Sequence, residues 1–220
     1  KLGNMLRHFY EAEDLLVFGS GYSLALASYK AMECGKTGME FAVGIPGSIG
    51  GAVYMNAGAY DGEMQNIVNC VKVMDLQGNE RVLTAEELNF GYRKTSLQNS
   101  GLIVTEVTLK MPSGNKDEIK SKMDDFSHRR ISKQPLEMPS AGSMFKRPPG
   151  YFAGTLIDQA GLKGYTVGGA QISTKHAGFV VNVGGATAAD VLQLIKDVQT
   201  KIKAGVGVEL QPEVLVIGEE

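Results

Sequence analysis

The residues Gly44-Ile45-Pro46-Gly47-Ser48-Ile49-Gly50-Gly51-Ala52-Val53-Tyr54-Met55-Asn56-Ala57-Gly58-Ala59-Tyr60 place five glycines in seventeen positions. Glycine is entropically costly in regular elements and marks backbone that bends sharply or approaches something closely. Backbone N–H groups exposed by consecutive glycines form concavities that suit phosphate. The passage is not a Walker A motif, which ends in Gly-Lys-Ser/Thr, nor a G-x-G-x-x-G fingerprint. Gly19-Ser20-Gly21 lacks the third glycine of that fingerprint. On residue types alone, the passage is either a set of tight turns or a cofactor loop.

The glycine is clustered. Of 28 glycines in 220 residues, eight fall within 35–62 and ten within 142–185, while 115–141 and 186–204 have none. The remaining composition is that of a globular chain: 43% hydrophobic, 21% charged and a net charge of -2. These values exclude a disordered tail, a collagen-like fibre and a basic nucleic-acid binder. Cys34 and Cys70 form no motif with each other or with His8, His128 and His176, so no disulfide framework or metal site is expected. With no signal peptide and no apolar run near the ~20 residues of a membrane span, a cytoplasmic location is expected.

Outward from the glycine passage, Ser23 caps a predicted helix from Leu24 to about Cys34 that stops at Gly35. Residues 38–62 read as loops with brief strands. Ile67 to Asp75 alternates, Val71 aside, and Gln77-Gly78 turns it back into Arg81-Val82-Leu83. Thr84-Ala85-Glu86-Glu87 has a capping-box pattern for a short helix, and Leu102 to Leu109 is a strand. Asn115 caps a helix to about Ser132, with Ile119, Met123 and Phe126 on one stripe. Pro135 and Pro139 mark a linker. Beyond it come a helix at Gly154–Ala160, strands at Tyr165–Ile172 and Gly178–Val183, and a helix opened by Thr187 and Asp190 and ended by Gly205. Short apolar runs at Val208–Leu210 and Val214–Ile217 finish the chain. The fold class is α+β, in two units.

The order of residues in 44–60 resembles the UDP-N-acetylenolpyruvoylglucosamine reductase family. Five further segments agree with it in the same order: Phe90-Gly91-Tyr92-Arg93; Arg130-Ile131-Ser132-Lys133-Gln134-Pro135; Ser140-Ala141-Gly142-Ser143-Met144-Phe145-Lys146-Arg147-Pro148; Leu156 to Gly164; and Gln211-Pro212-Glu213-Val214. The resemblance implies an FAD-binding domain of the vanillyl-alcohol-oxidase/PCMH type at 1–133 and a smaller α/β substrate-binding domain at 134–210. A last segment, 211–220, would return to the flavin domain. The family's first glycine-rich flavin loop has no counterpart here, and Lys1 replaces an initiator Met, so the chain reads as N-terminally truncated.

The implied chemistry has two halves: NADPH reduces FAD, and reduced flavin reduces UDP-N-acetylglucosamine enolpyruvate to UDP-N-acetylmuramate. The second half is a conjugate addition that develops negative charge at the substrate carboxylate, so it needs a cation there and a proton donor at the adjacent carbon. By the resemblance, Arg93 is the carboxylate ligand, Ser143 the general acid and Glu213 an assisting glutamate. Lys146, three residues beyond Ser143, is a cation able to favour its ionisation. Gly44, Ile45, Pro46, Gly47, Ser48, Gly50, Gly51, Tyr54, Asn56, Ala57 and Gly58 are the expected FAD contacts. Lys133 and Arg147 are assigned to the diphosphate, Gln159 to uracil or ribose, and Tyr151 to closure over the substrate. The histidines are expected to be solvated or core, and the protein a monomer. Two alternatives remain at this stage: a UDP-sugar-binding fragment without flavin activity, and another FAD oxidoreductase of the same fold.

Overall fold

The computed structural model describes residues 3–218; Lys1, Leu2, Glu219 and Glu220, which belong to the expected first and last segments, lie outside the described residues. Chain contacts divide the protein into two units, 1–129 and 130–220. The division falls four residues before the expected 133/134 boundary and inside a helix.

The first unit is built on a five-stranded sheet, antiparallel at every pairing. Its strands are β1 (Phe9–Ala12), β2 (Leu15–Gly19), β5 (Val68–Met74), β6 (Glu80–Thr84) and β7 (Ile103–Lys110), in the order β1-β2-β7-β5-β6. The β1–β2 hairpin was not anticipated; β2 is a continuous apolar run, buried from Leu16 onward, without alternation to betray it. The exception at Val71 has a physical cause. The β5–β7 register shifts between Val68 and Cys70, which resets the alternation and buries Val68, Val71 and Val73. Helices α1 (Leu24–Glu33) and α2 (Ile49–Tyr54) pack on this sheet through Leu24, Ala27, Ala31, Ile49, Ala52 and Val53. The Ser23 hydroxyl accepts from Leu26 N, and Gly35, at φ 66, ends the α1 turn.

Two short strands, β3 (Gly58–Ala59) and β4 (Gly62–Glu63), close the glycine-rich passage. That passage is more regular than expected, since α2 occupies its centre. The expected helix at Thr84–Glu87 does not form. Its capping box does, with Glu87 Oε2 accepting from Thr84 N at 2.8 Å and Thr84 Oγ1 from Glu87 N at 3.4 Å. The chain then turns left-handed at Asn89 (φ 44) after a single turn. Helix α3 (Lys116–Lys133) begins under Asn115 Oδ1, which accepts from Asp117 N at 2.8 Å. Ile119, Met123 and Phe126 are its buried stripe, and Phe126 stacks on Tyr60 at 4.4 Å.

The second unit has a four-stranded antiparallel sheet in the order β8-β11-β10-β9: β8 (Ser140–Ser143), β9 (Thr166–Val167), β10 (Ala170–Ile172) and β11 (Phe179–Asn182). The single strand expected at 165–172 is a hairpin instead. Gly168 is left-handed (φ 54), and a Cβ on Gly169 would lie 2.3 Å from Gly184 O. Helix α4 (Ala153–Gln159) and the amphipathic α5 (Ala188–Val206) complete the unit; Leu194, Ile195, Val198 and Ile202 of α5 enter its core. Thr187 and Asp190 make the reciprocal capping box at the α5 start. Its end is Gly207 (φ 73), two residues past the expected Gly205, because Gly207 supplies the left-handed C-cap and donates to Lys203 O. The apolar runs at 208–210 and 214–217 do not form strands. Leu210 is core, while Leu215, Val216 and Ile217 are exposed.

Candidate active site

In the first unit the glycine-rich passage lies against the segment leaving β2. Leu24 N donates to Gly47 O at 3.0 Å, Ile49 N to Tyr22 O at 2.9 Å and Gly50 N to Ser20 O at 2.9 Å. Only glycine fits position 50, where a Cβ would sit 2.7 Å from Ser20 Cβ and 3.0 Å from Ser20 O. The two glycine segments thus wall a cleft of about 520 Å³ lined by Arg7, Gly21, Tyr22, Ser23, Leu26, Gly47 and Ser48.

This cleft fits an FAD by two observations. Among the described residues, the Gly47 and Ser48 amides donate to no other group, so both remain available to an anion. Ser20 Oγ, in the neighbouring glycine segment, is buried and is the one orphaned polar side-chain atom among the described residues, but it does not line the cleft. Arg7 adds a cation at the rim. Sequence reasoning missed Arg7 and underrated Gly19-Ser20-Gly21; the discoverable signal was a glycine pair at the exit of an apolar strand immediately before a helix cap.

At the other end of the passage, the expected FAD contact Asn56 has its side chain fully engaged by protein. Nδ2 donates to Glu63 Oε2 and Gly91 O, and Oδ1 accepts from Gln65 N, all at 3.0 Å. Tyr54 contributes its carbonyl to Thr95 Oγ1 at 2.8 Å. Arg93 is half-buried with a left-handed backbone (φ 55). Its guanidinium donates through Nη1 to Asn56 O at 3.3 Å and through Nη2 to Gly58 O at 3.0 Å, and lies 5.0 Å from the Tyr92 ring centre. The glycine passage and the expected carboxylate ligand are therefore one hydrogen-bonded assembly.

In the second unit, Ser143 is the exposed last residue of β8, paired with Phe179 of β11. Gly142, at φ 86, supplies the left-handed position before it. The C-terminal segment runs beside the residues that follow: Lys146 N donates to Gln211 O at 2.8 Å and Glu213 N to Met144 O at 2.9 Å. Phe145 and Pro212 form the bridge between them. Glu213 and Ser143 are thus brought to neighbouring backbone positions from distant parts of the chain. The backbone of 211–213 is organised inside this second unit.

The substrate candidates sit on the surface of the same unit. Lys133 is exposed at the end of α3 and Gln159 at the end of α4. The Arg147 guanidinium stacks 4.0 Å over the Phe152 ring, and Tyr151 is half-exposed in the turn closed by its N–H on Pro148 O. His176, set aside on sequence, is half-buried between Gly154 and Gly178, where a Cβ on Gly178 would be 3.2 Å from His176 Nδ1 and 3.6 Å from Ser143 Oγ. Gly178 N donates to Nδ1 at 3.1 Å, which assigns the ring proton to Nε2. Burial holds its pKa below the ordinary histidine value, with the Lys163 and Lys133 cations adding to the effect.

Residues 2–84 match the family model described as "FAD binding domain". Residues 134–217 match the model described as "UDP-N-acetylenolpyruvoylglucosamine reductase, C-terminal domain". The chain is similar to the UDP-N-acetylenolpyruvoylglucosamine reductase of Clostridium perfringens strain SM101, 54% identical over 91% of this chain and 66% of the relative. It is likewise similar to that of Pediococcus pentosaceus, 51% identical over 93% of this chain and 68% of the relative. Among solved structures, the UDP-N-acetylenolpyruvylglucosamine reductase of Thermus caldophilus superposes with a TM-score of 0.82 at 40% identity, over 96% of this chain and 75% of that one. The chain spans about two thirds of the length of these curated relatives. A matched FAD-binding domain, with a glycine-walled cleft suited to an anion, defines the class: a protein built on an FAD-binding domain. The domain that follows it is specific to one family. The chain belongs to the UDP-N-acetylenolpyruvoylglucosamine reductase family.

Proposed function

We propose that the protein containing this chain is an NADPH-dependent reductase that converts UDP-N-acetylglucosamine enolpyruvate to UDP-N-acetylmuramate. The observation that carries the reading is the backbone pairing of 144–146 with 211–213, which sets Glu213 beside the Ser143 strand. The Gly47–Ser48 amides, with Arg7, Tyr22 and Ser23, would hold FAD, which would supply two-electron reduction of the enolpyruvyl methylene carbon at the expense of NADPH. Arg93 binds the substrate carboxylate through its planar fork and stabilises the enolate-like charge that develops there. Ser143 gives its hydroxyl proton to the adjacent carbon, so the double bond gains one hydrogen at each end. A serine hydroxyl is a weak acid, and it suffices here because the enolate-like carbon is a strong base. Glu213 assists at the substrate carboxylate or the adjacent carbon. Lys133 and Arg147 take the diphosphate, the stacked Arg147–Phe152 pair presenting a fixed fork, while Gln159 reads the uracil or ribose and Tyr151 closes over the bound substrate. The reading includes a cytoplasmic monomer, where NADPH and the sugar nucleotide are both at hand.

The test is NADPH oxidation by the full-length protein with and without the enolpyruvyl substrate. Oxidation that depends on that substrate, at one NADPH per product, supports the reading. Oxidation only with unrelated acceptors points to a different flavin oxidoreductase. A protein that binds the UDP-sugar yet refuses added FAD is a binding module.

A further inference from the structure

Asn56 is wholly enclosed, 0% exposed, in a unit whose other buried residues are mostly apolar. A buried amide destabilises a fold unless its donors and acceptor are met. Here both Nδ2 hydrogens are committed, to Glu63 Oε2 and to Gly91 O, and Oδ1 accepts from Gln65 N. The backbone is committed too. Asn56 is left-handed (φ 44), a region that Asn tolerates better than most residues, and its carbonyl accepts from Arg93 Nη1 at 3.3 Å.

Asn56 therefore touches the 91–94 turn twice, once at the Gly91 carbonyl and once at the Arg93 guanidinium. Reciprocal bonds close that turn: Gly91 N to Lys94 O at 2.9 Å and Lys94 N to Gly91 O at 3.1 Å. Inside it Arg93 itself is left-handed at φ 55, a conformation that persists for a long side chain only where its surroundings over-determine it. The Asn56 amide supplies one of those constraints through Gly91.

We propose that Asn56 is the positioning residue for Arg93. Its side chain pins the 91–94 turn and its carbonyl orients the guanidinium, while Asn56 itself touches neither cofactor nor substrate. This replaces its expected role as an FAD contact, because its donors are spent on protein. The proposal rests on the carboxylate-binding role of Arg93. A guanidinium that must be reoriented at the moment of reaction loses preorganised stabilisation of the developing charge. Loss of Asn56 therefore slows the substrate half-reaction and spares flavin reduction.

The test is a double-mutant cycle on the full-length FAD-loaded protein, with flavin reduction by NADPH and flavin reoxidation by the enolpyruvyl substrate measured separately. Asn56→Gly keeps the left-handed backbone and deletes the three side-chain bonds. The expected result is reduction within twofold of the parent, reoxidation slowed tenfold or more, and less than twofold further slowing when Asn56→Gly is added to Arg93→Ala. Additive slowing, or no effect of Asn56→Gly, overturns the positioning role alone. Unchanged reoxidation in Arg93→Ala refutes the carboxylate role and the positioning role with it. If Asn56→Gly loses its flavin, Asn56→Asp with Glu63→Gln replaces it; that pair reverses the polarity of the 56–63 bond, keeps the acceptor for Gln65 N and removes the donor to Gly91. Loss of flavin in both, with Arg93→Ala retaining it, makes Asn56 a purely structural residue and overturns the proposal.

Discussion

The backbone N–H of Glu213 donates to the carbonyl oxygen of Met144 at 2.9 Å. Through this bond the end of the chain becomes a neighbour of Ser143. Pro212, which has no N–H, sits at the bridge with Phe145, where no donor is needed. The proposed acid and its assisting glutamate thus depend on a tertiary contact rather than on spacing. Glu213→Gln keeps this backbone pairing and removes only the charge. It is expected to slow flavin reoxidation by substrate about a hundredfold, the scale of one acid–base group, and to leave flavin reduction by NADPH unchanged. Stopped-flow absorbance of the two half-reactions separates the outcomes.

The adjacent glycines Gly50 and Gly51 are predicted to behave oppositely. A Cβ at 50 meets Ser20 Cβ at 2.7 Å, whereas one at 51 meets only Ser48 Oγ at 3.4 Å. Gly50→Ala therefore forces the two glycine segments apart, at about 1–3 kcal/mol of overpacking. Gly51→Ala removes a glycine from α2 and is neutral to stabilising, by up to about 1 kcal/mol. Thermal midpoints of the flavin-free variants check both, and the flavin content of Gly50→Ala falls.

Two histidines link stability to pH with opposite sign. His176 is kept neutral by burial, so between its lowered folded pKa and the ordinary value of about 6.5 the unfolded chain binds more protons. Its contribution is complete above about 6.5 and is lost as pH falls through the folded value. Protonation also turns Nδ1 into a donor facing the Gly178 N–H. Asp158 faces the ring as the opposing charge, with Lys163 and Lys133 as the like charges. His8 is the reverse case. The Met5 carbonyl and then the Glu106 carboxylate raise its pKa, so its contribution is present below about 6.5 and is lost as pH rises through the raised folded value. Urea midpoints across pH are expected to lose their acid-side slope in His176→Gln and their alkaline-side slope in His8→Gln.

Much of the architecture was legible from local signals. Asn115, Thr187 and Asp190 announced α3 and α5, and the buried stripe of α3 fell on the residues its spacing indicated. Failures came where tertiary structure overrode local pattern. Ser140–Ser143 contains no strong strand former and becomes β8 only because β11 pairs with it. The Thr84–Glu87 capping box formed, yet left-handed Asn89 ended the turn before a helix could follow. The same holds at the site. Motif order pointed to Arg93, Ser143 and Glu213, but no local signal distinguishes a buried brace such as Asn56 from a cofactor contact. Arg7 was equally invisible, because only folding of the β1–β2 hairpin carries it to the glycine cleft.

The central claim is that flavin reduction and substrate protonation are carried by different parts of this chain. It is tested most directly by reducing the full-length protein with one equivalent of NADPH under anaerobic conditions and then adding the enolpyruvyl substrate, in the parent and in Ser143→Ala. Both proteins are predicted to lose the visible absorbance of oxidised flavin on NADPH addition. The parent then regains it with one equivalent of substrate, and Ser143→Ala stays bleached. Recovery of absorbance in Ser143→Ala at the parent's rate, or no recovery in the parent, contradicts the account.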